Sequence, residues 1–261
     1  MEDNRPDPEL LLKKIRQEEE KRKKEQKGKL KIFLGYAAGV GKTYAMLEAA
    51  HEAKKHQVDV VAGYIEPHAR PDTQAMAEGL EEIPPLMVDY KGIQLREFNL
   101  DAALERKPKL ILVDELAHTN VRGSRNEKRY QDVRELLRAG INVYTTMNIQ
   151  HLESLNDVVS GVTGIQVRET VPDPFFDAAD DVVLVDLPPD DLRQRLNEGK
   201  VYIAGQAERA IEHFFRKGNL IALRELALRR TADRVDDQMR AWRGRPGEEK
   251  VWHTRDAILL C

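Results

Sequence analysis

Between Leu30 and Ala53 the chain reads LKIFLGYAAGVGKTYAMLEAAHEA: a short apolar run, a glycine-rich turn and a helical pattern. Few folds accommodate that succession. Leu30, Ile32, Phe33 and Leu34 form a buried strand, and Gly35, Gly39 and Gly41 give backbone freedom where the chain curls. Lys42 and Thr43 then open a helix whose Met46, Ala49, Ala50 and Ala53 recur at three- and four-residue spacing, one apolar face. Backbone N–H groups of such a turn point inward and the helix N-terminus adds partial positive charge, so the turn suits a polyphosphate. The reading is a P-loop in which Gly35, Ala38, Gly39, Val40, Gly41, Lys42 and Thr43 contact the nucleotide. Lys42 reaches the β- and γ-phosphates and the Thr43 hydroxyl holds Mg²⁺. One position departs from the pattern: the first glycine of G-x-x-x-x-G-K-[ST] falls on Tyr36, so this ring either stacks at the loop entrance or re-shapes it.

A second chemical signal lies downstream. Leu110–Val113, LILV, is continuously apolar, as a parallel strand buried on both faces should be, and Asp114 and Glu115 follow it directly. An acid ending such a strand after a P-loop is a Walker B arrangement: Asp114 holds Mg²⁺, and Glu115 is the candidate catalytic group that polarises water. Ile141–Thr145 is a further strand, trailed by Thr146, Asn148, Gln150 and His151 where a γ-phosphate sensor would sit. Asn148 is accordingly a candidate nucleotide ligand. Val58–Ile65 is a strand ending in Glu66, Pro67, His68 and Arg70, either a second polar cluster or a proline-stiffened loop.

The connecting segments complete an alternation of strands and helices. Asp72 or Thr73 caps a helix to about Glu82, Leu86–Val88 is a short strand, and Asn99 caps a helix that Pro108 stops. Ser124 and Glu127 have capping-box spacing before a helix carrying Tyr130, Val133, Leu136 and Leu137, which Gly140 ends. Val182–Val185 is a strand, and Pro188–Pro189 start a helix through Asn197. Helices are expected over Gln206–Arg216 and from Asn219 to about Arg243, the latter with Leu220, Leu223, Ala227, Met239 and Trp242. The fold class is therefore α/β, a doubly wound, mostly parallel sheet of P-loop NTPase type with a helical C-terminal extension.

Three domains of unequal kind are expected. Residues 1–28 form a charged arm, residues 29–243 the P-loop domain, and residues 244–261 a linker and an apolar run, Ala257–Cys261, that resembles the start of another domain. The balance of 42 basic and 45 acidic side chains, net −3, implies no general attraction to nucleic acid or to anionic membrane. A single cysteine, Cys261, excludes an internal disulfide and suits a reducing cytoplasm. No run of 18 apolar residues is present, so the expectation is a cytoplasmic chain without direct membrane insertion.

Five strings carry a family resemblance: GVGKT at 39–43, GYIEPH at 63–68, VDELAHTN at 113–120, TMNIQHLESL at 146–155 and VPDPFFDAADDVVLVD at 171–186. Together they resemble the N-terminal cytoplasmic domain of the KdpD family, bacterial potassium and osmotic sensor histidine kinases, from about Lys29 to Trp242. The resemblance implies an ATP- and Mg²⁺-binding regulatory domain acting on the remainder of a sensor kinase. That remainder would comprise a universal-stress-protein-like domain, membrane helices and a kinase core. The kinase's response-regulator partner would switch on potassium-transport genes. It places the P-loop on Gly35–Thr43 and the Walker B acid on Asp114. None of the seven histidines stands in a phosphoacceptor pattern. The competing readings are a stand-alone P-loop enzyme, such as a nucleoside kinase or corrinoid adenosyltransferase, and an interaction module indifferent to ATP.

Overall fold

The computed structural model describes residues 26–66, 71–199 and 214–243. Residues 1–25 of the expected arm, Pro67, His68 and Arg70 of the polar cluster, most of the expected helix from Gln206, and residues 244–261 lie outside the described residues.

Strands and helices alternate as the apolar patterns require. β1 (Leu30–Gly35) runs through the glycine turn into α1 (Lys42–Lys55), then β2 (Val60–Tyr64), α2 (Pro71–Ala77) and the two-residue β3 (Glu81–Glu82). A hairpin of β4 (Leu86–Tyr90) and β5 (Ile93–Glu97) precedes α3 (Leu100–Arg106), β6 (Leu110–Val113), α4 (Arg129–Arg138) and β7 (Asn142–Asn148). Two 3₁₀ turns, Ile149–His151 and Glu153–Leu155, lead to α5 (Asn156–Thr163), α6 (Asp173–Asp177), β8 (Asp181–Leu184), α7 (Pro189–Asn197) and the 27-residue α8 (Lys217–Arg243).

Six strands make one sheet in the order β3-β2-β6-β7-β1-β8, every neighbouring pair parallel. Side-chain alternation explains why this sheet needs helices on both faces. Phe33, Val60, Ala62, Leu110 and Leu112 point to the side covered by α1, where Met46, Leu47 and Ala50 complete one core. Ile32, Leu34, Val61, Ile111, Val113 and Val143 point to the other, against Val133, Leu136, Phe176, Leu192 and Leu220. Ile111 and Leu112 are fully buried, so truncating either to alanine would cost about 2–5 kcal/mol.

Three local expectations are corrected. The helix expected to reach Glu82 ends at Ala77, because Gly79 takes a positive φ of 80° and the chain re-enters the sheet as β3. The short strand at Leu86–Val88 is one arm of a hairpin, turned by Lys91 (φ 54°) and Gly92 (φ 81°), a two-residue turn matched to strand twist. Ser124 and Glu127 form no capping box. Asn126 instead donates to Asp132 and Glu135 at 2.9 and 2.7 Å, folding the loop onto the start of α4, which begins at Arg129. The Gln131 side chain accepts the Lys128 N–H there at 3.0 Å.

Candidate nucleotide site

The parallel sheet delivers three strand ends to one edge, β1, β7 and β6, side by side in that order. The glycine turn leaves β1, Asp114 and Glu115 leave β6, and Thr146 to Asn148 end β7 between them. Here a cleft of about 240 Å³ is lined by Ala38, Gly39, Gly41, Lys42, Thr43, Asp114, Glu115, Thr146, Asn148 and His151 among others. Two expected contacts lie beneath it: Val40 is buried, and a Cβ on Gly35 would stand 2.6 Å from Val40 Cγ2 and 2.9 Å from Lys42 Cδ. Only glycine fits at 35. Gly39 and Gly41 have φ of 89° and 105°, the left-handed region that lets the turn curl.

Lys42 Nζ donates to the Ala37 carbonyl at 3.1 Å, which holds the ammonium over the loop. Thr43 Oγ1 donates to Asp114 at 3.2 and 3.4 Å, so residues 71 apart in sequence meet in the cleft. Asp114 also accepts from the hydroxyl of Thr146, from the Glu115 N–H at 3.1 Å and from the Glu66 N–H at 3.4 Å. Asn148, opposite Gly35 in the β1–β7 register, has a buried Oδ1 with no hydrogen-bond partner among the described residues.

Glu115 sits in a left-handed backbone conformation, φ 56°, costly for a residue with a side chain. Its N–H donates to Asp114 and, at 3.1 Å, to Thr146 Oγ1, which fixes that conformation. Burial, then the neighbouring Asp114 and Glu66 carboxylates, push its pKa up to about 7. A group poised there can accept a proton near neutral pH.

Tyr36 neither stacks at the entrance nor opens the loop. Its ring is fully buried and its hydroxyl donates to the Leu187 carbonyl at 2.7 Å, so it ties the loop to the turn after β8. Burial first, then Asp186, pushes its pKa up to about 12.

Two histidines, His118 and His151, line the cleft and both are engaged. His118 Nε2 lies 3.1 Å from Glu97, and His151 Nδ1 lies 2.8 Å from the Glu169 carbonyl. Burial holds the His151 pKa down, which keeps the ring neutral. Gln150, by contrast, does not line the cleft.

Behind the acids lies a network that sequence reading did not find. Arg129 is fully buried, donates to the Asp114 carbonyl at 3.1 Å and to Glu97 at 3.3 Å, and stacks on Tyr64 at 4.1 Å. Burial works to raise the Glu97 pKa, but His118, the Val121 N–H and Arg129 together hold it below the usual range. Glu169, also unforeseen, joins the cleft wall and accepts the Thr119 N–H at 2.8 Å. No sequence pattern marks these residues, since each belongs to a segment remote from the motif it supports.

A second cavity of about 210 Å³ lies at the end of β2, lined by Tyr64, Glu66, Thr73, Gln74 and Arg96 among others. No helix among the described residues is long and apolar enough to cross a membrane.

A family model described as the KdpD osmosensitive K⁺ channel His kinase sensor domain matches residues 26–235. The sensor protein KdpD of Escherichia coli is 71% identical over 257 residues, 98% of this chain and 28% of that protein. That of Clostridium acetobutylicum is 58% identical over 257 residues, again 98% of this chain and 28% of the relative. That of Mycobacterium tuberculosis is 49% identical over 236 residues, 90% of this chain and 27% of the relative. The chain thus spans little more than a quarter of the length of these relatives. It belongs to the KdpD sensor-domain family.

Proposed function

We propose that this chain is the ATP-binding regulatory domain of a KdpD-type sensor histidine kinase, and that nucleotide occupancy of the cleft controls a kinase core elsewhere in the protein. The reading extends to a cytoplasmic location, a response-regulator partner and potassium-transport genes as the output. The observation that carries it is the meeting of Thr43, at the start of α1, with Asp114 from a strand two places away in the sheet, in the cleft that Lys42 also lines.

The residues present fit Mg²⁺-ATP. The left-handed φ of Gly39 and Gly41 curls the turn so that its backbone N–H groups suit phosphate oxygens, Gly35 leaves room for the Lys42 stem, and the unpaired Asn148 Oδ1 can accept from a cation-bound water. Asp114, Glu115 and Glu169 line the same cleft as Lys42, so a bare polyphosphate would meet more negative than positive charge. A divalent cation held by Thr43 and Asp114 reverses that balance, and it would supply charge neutralisation between the phosphates and the acids. Within this arrangement Lys42 binds phosphate, Asn148 orients the ligand, and the Glu115 carboxylate accepts a proton from an attacking water. Arg129 fixes the strand end that carries both acids.

A single charge-assisted contact to phosphate is worth about 1.5–3 kcal/mol, so Lys42→Ala should weaken ATP binding about ten- to a hundredfold. Calorimetric titration with and without Mg²⁺ tests this. Equal affinity of wild type and variant would remove the P-loop assignment. The cavity at the end of β2 favours a second reading, a nucleotide-dependent transferase that binds an acceptor there. Its wall includes Glu66, whose N–H also donates to Asp114. Turnover of ATP stimulated by a small acceptor would support that reading over the regulatory one.

A further inference from the structure

Leu192 and Leu196 bury one side of α7 in the same core that holds Tyr36, Ala37 and Val40 of the glycine turn. They stand one helical turn apart, so the residues between them face outward. Of these, Arg195 reaches back over the turn. Its Nη1 donates to the Gly39 carbonyl at 3.4 Å and lies 3.9 Å from where a Cβ on Gly41 would be. The guanidinium therefore overhangs two of the residues that form a wall of the cleft.

That bond is long and its acceptor is neutral, a poor use of a charged donor. Neighbouring cations are spent differently: Arg224 holds Asp186 at 2.6 Å and Lys217 holds Asp190 at 2.8 Å. Among the described residues no carboxylate forms an ion pair with Arg195. A cation in the last turn of a helix favours the helix dipole whatever it points at, so the dipole accounts for the charge and not for its reach to Gly39. The cleft has the complementary need. Asp114, Glu115 and Glu169 line it, and among the described residues that do so Lys42 is the one lysine or arginine. A divalent cation offsets two of those negative charges, and a di- or triphosphate brings more.

Tyr36 explains how the arginine is held in place. Its hydroxyl donates to the carbonyl of Leu187, directly before the two prolines that start α7, so the first position of the loop clamps the helix that carries Arg195. A glycine there would lack that clamp. We propose that Arg195 is a phosphate-binding residue of the cleft, transferring its guanidinium from the Gly39 carbonyl to a phosphate oxygen of a bound nucleoside di- or triphosphate. The exchange replaces a neutral acceptor by a charged one that matches the planar fork of donors. It rests on the reading of the cleft as a nucleotide site.

Calorimetric titration of the 261-residue chain with Mg²⁺-ATP at about 50 and 500 mM NaCl tests it. Arg195→Met should bind ATP about three- to twentyfold more weakly than wild type at low salt, and the difference should shrink at high salt because the contact forms at an exposed rim. Its melting temperature without nucleotide should equal that of wild type, since the side chain is exposed. Tyr36→Phe should weaken binding less, and Tyr36→Phe/Arg195→Met no more than Arg195→Met alone, because the hydroxyl acts through the arginine. If Arg195→Met binds ATP like wild type while Lys42→Ala does not, the proposal is overturned and the nucleotide reading stands. Wild type that binds no ATP removes both. A loss of equal size at the two salt concentrations overturns the proposal by tracing the effect to the packing of α7, and additive losses in the double variant overturn the clamp through Tyr36.

Discussion

Replacing Glu115 with glutamine should make the empty protein more stable, and only above weakly acidic pH. The carboxyl is partly buried beside Asp114 and Glu66, and its pKa rises from the ordinary 4.5 to about 7. Because the folded-state value lies above the unfolded one, the folded protein keeps a proton that the unfolded chain releases. Stability therefore falls as pH rises from about 4.5 to about 7 and is level beyond. At 1.36 kcal/mol per pKa unit the full penalty is roughly 3 kcal/mol, and water at the open mouth of the cleft reduces it to about 1–2 kcal/mol. Glutamine has no charge to desolvate. Its advantage should be small at pH 5 and reach about 3–6 °C in melting temperature at pH 8, measured in EDTA without nucleotide. A wild-type-to-variant difference that does not change between pH 5 and pH 8 would refute the argument that Glu115 is held under electrostatic strain. If the domain hydrolyses ATP, turnover in the same variant should drop while ATP affinity stays nearly constant, because a water-polarising group would act on the transition state.

Arg129→Met should cost about 3 kcal/mol or more by leaving Glu97 and the Asp114 carbonyl without their buried donor, and Arg129→Met/Glu97→Met should recover part of it; urea denaturation measures both. Gly35→Ala should cost about 1–3 kcal/mol, since Val40 and Lys42 stand within 2.9 Å of the added methyl, and should weaken ATP binding as Lys42 is displaced; denaturation and titration read the two effects. Incubation with γ-labelled ATP should leave no acid-labile, base-stable phosphate, since His118 is engaged by Glu97 and His151 by the Glu169 carbonyl. Label lost on changing either histidine would contradict this.

The parts of the fold legible in the sequence are those whose determinants are local. The strand, glycine turn and helix around Lys42 lie within one window, and LILV followed by Asp114 needs no distant residue to be read as a buried strand with an acid at its end. The second arm of the hairpin was legible too, in the Lys91-Gly92 pair between two β-rich runs, but Leu86–Val88 alone reads as a single short strand. The helix after Ser124 was misplaced because its start is set by Asn126, Asp132 and Glu135 bonding across the loop, and these outweigh a four-residue spacing. Arg129 and Glu97 are the sharper case. Charged residues 32 apart ordinarily read as solvated, and only the approach of β5 to the start of α4 makes them a buried pair beneath Asp114. Tyr36 looked like a defect in the loop because its partner, Leu187, lies 151 residues away.

The pairing of β1 sets an order of events during synthesis. Leu30–Gly35 is made early, yet its neighbours on either side are Asn142–Asn148 and Asp181–Leu184. Until Asn142–Asn148 leaves the ribosome the strand that carries the glycine turn has neither edge satisfied, and until Asp181–Leu184 leaves it has only one. At about 5–20 residues per second that wait lasts roughly 8–30 s. Leu30–Leu34 and Leu110–Val113 emerge during it as bare apolar segments, the kind that chaperones hold and that pair wrongly between nascent chains. A ribosome stalled ahead of Asn142 would display a chain whose glycine turn hangs from an unpaired strand, however well its first helix had formed.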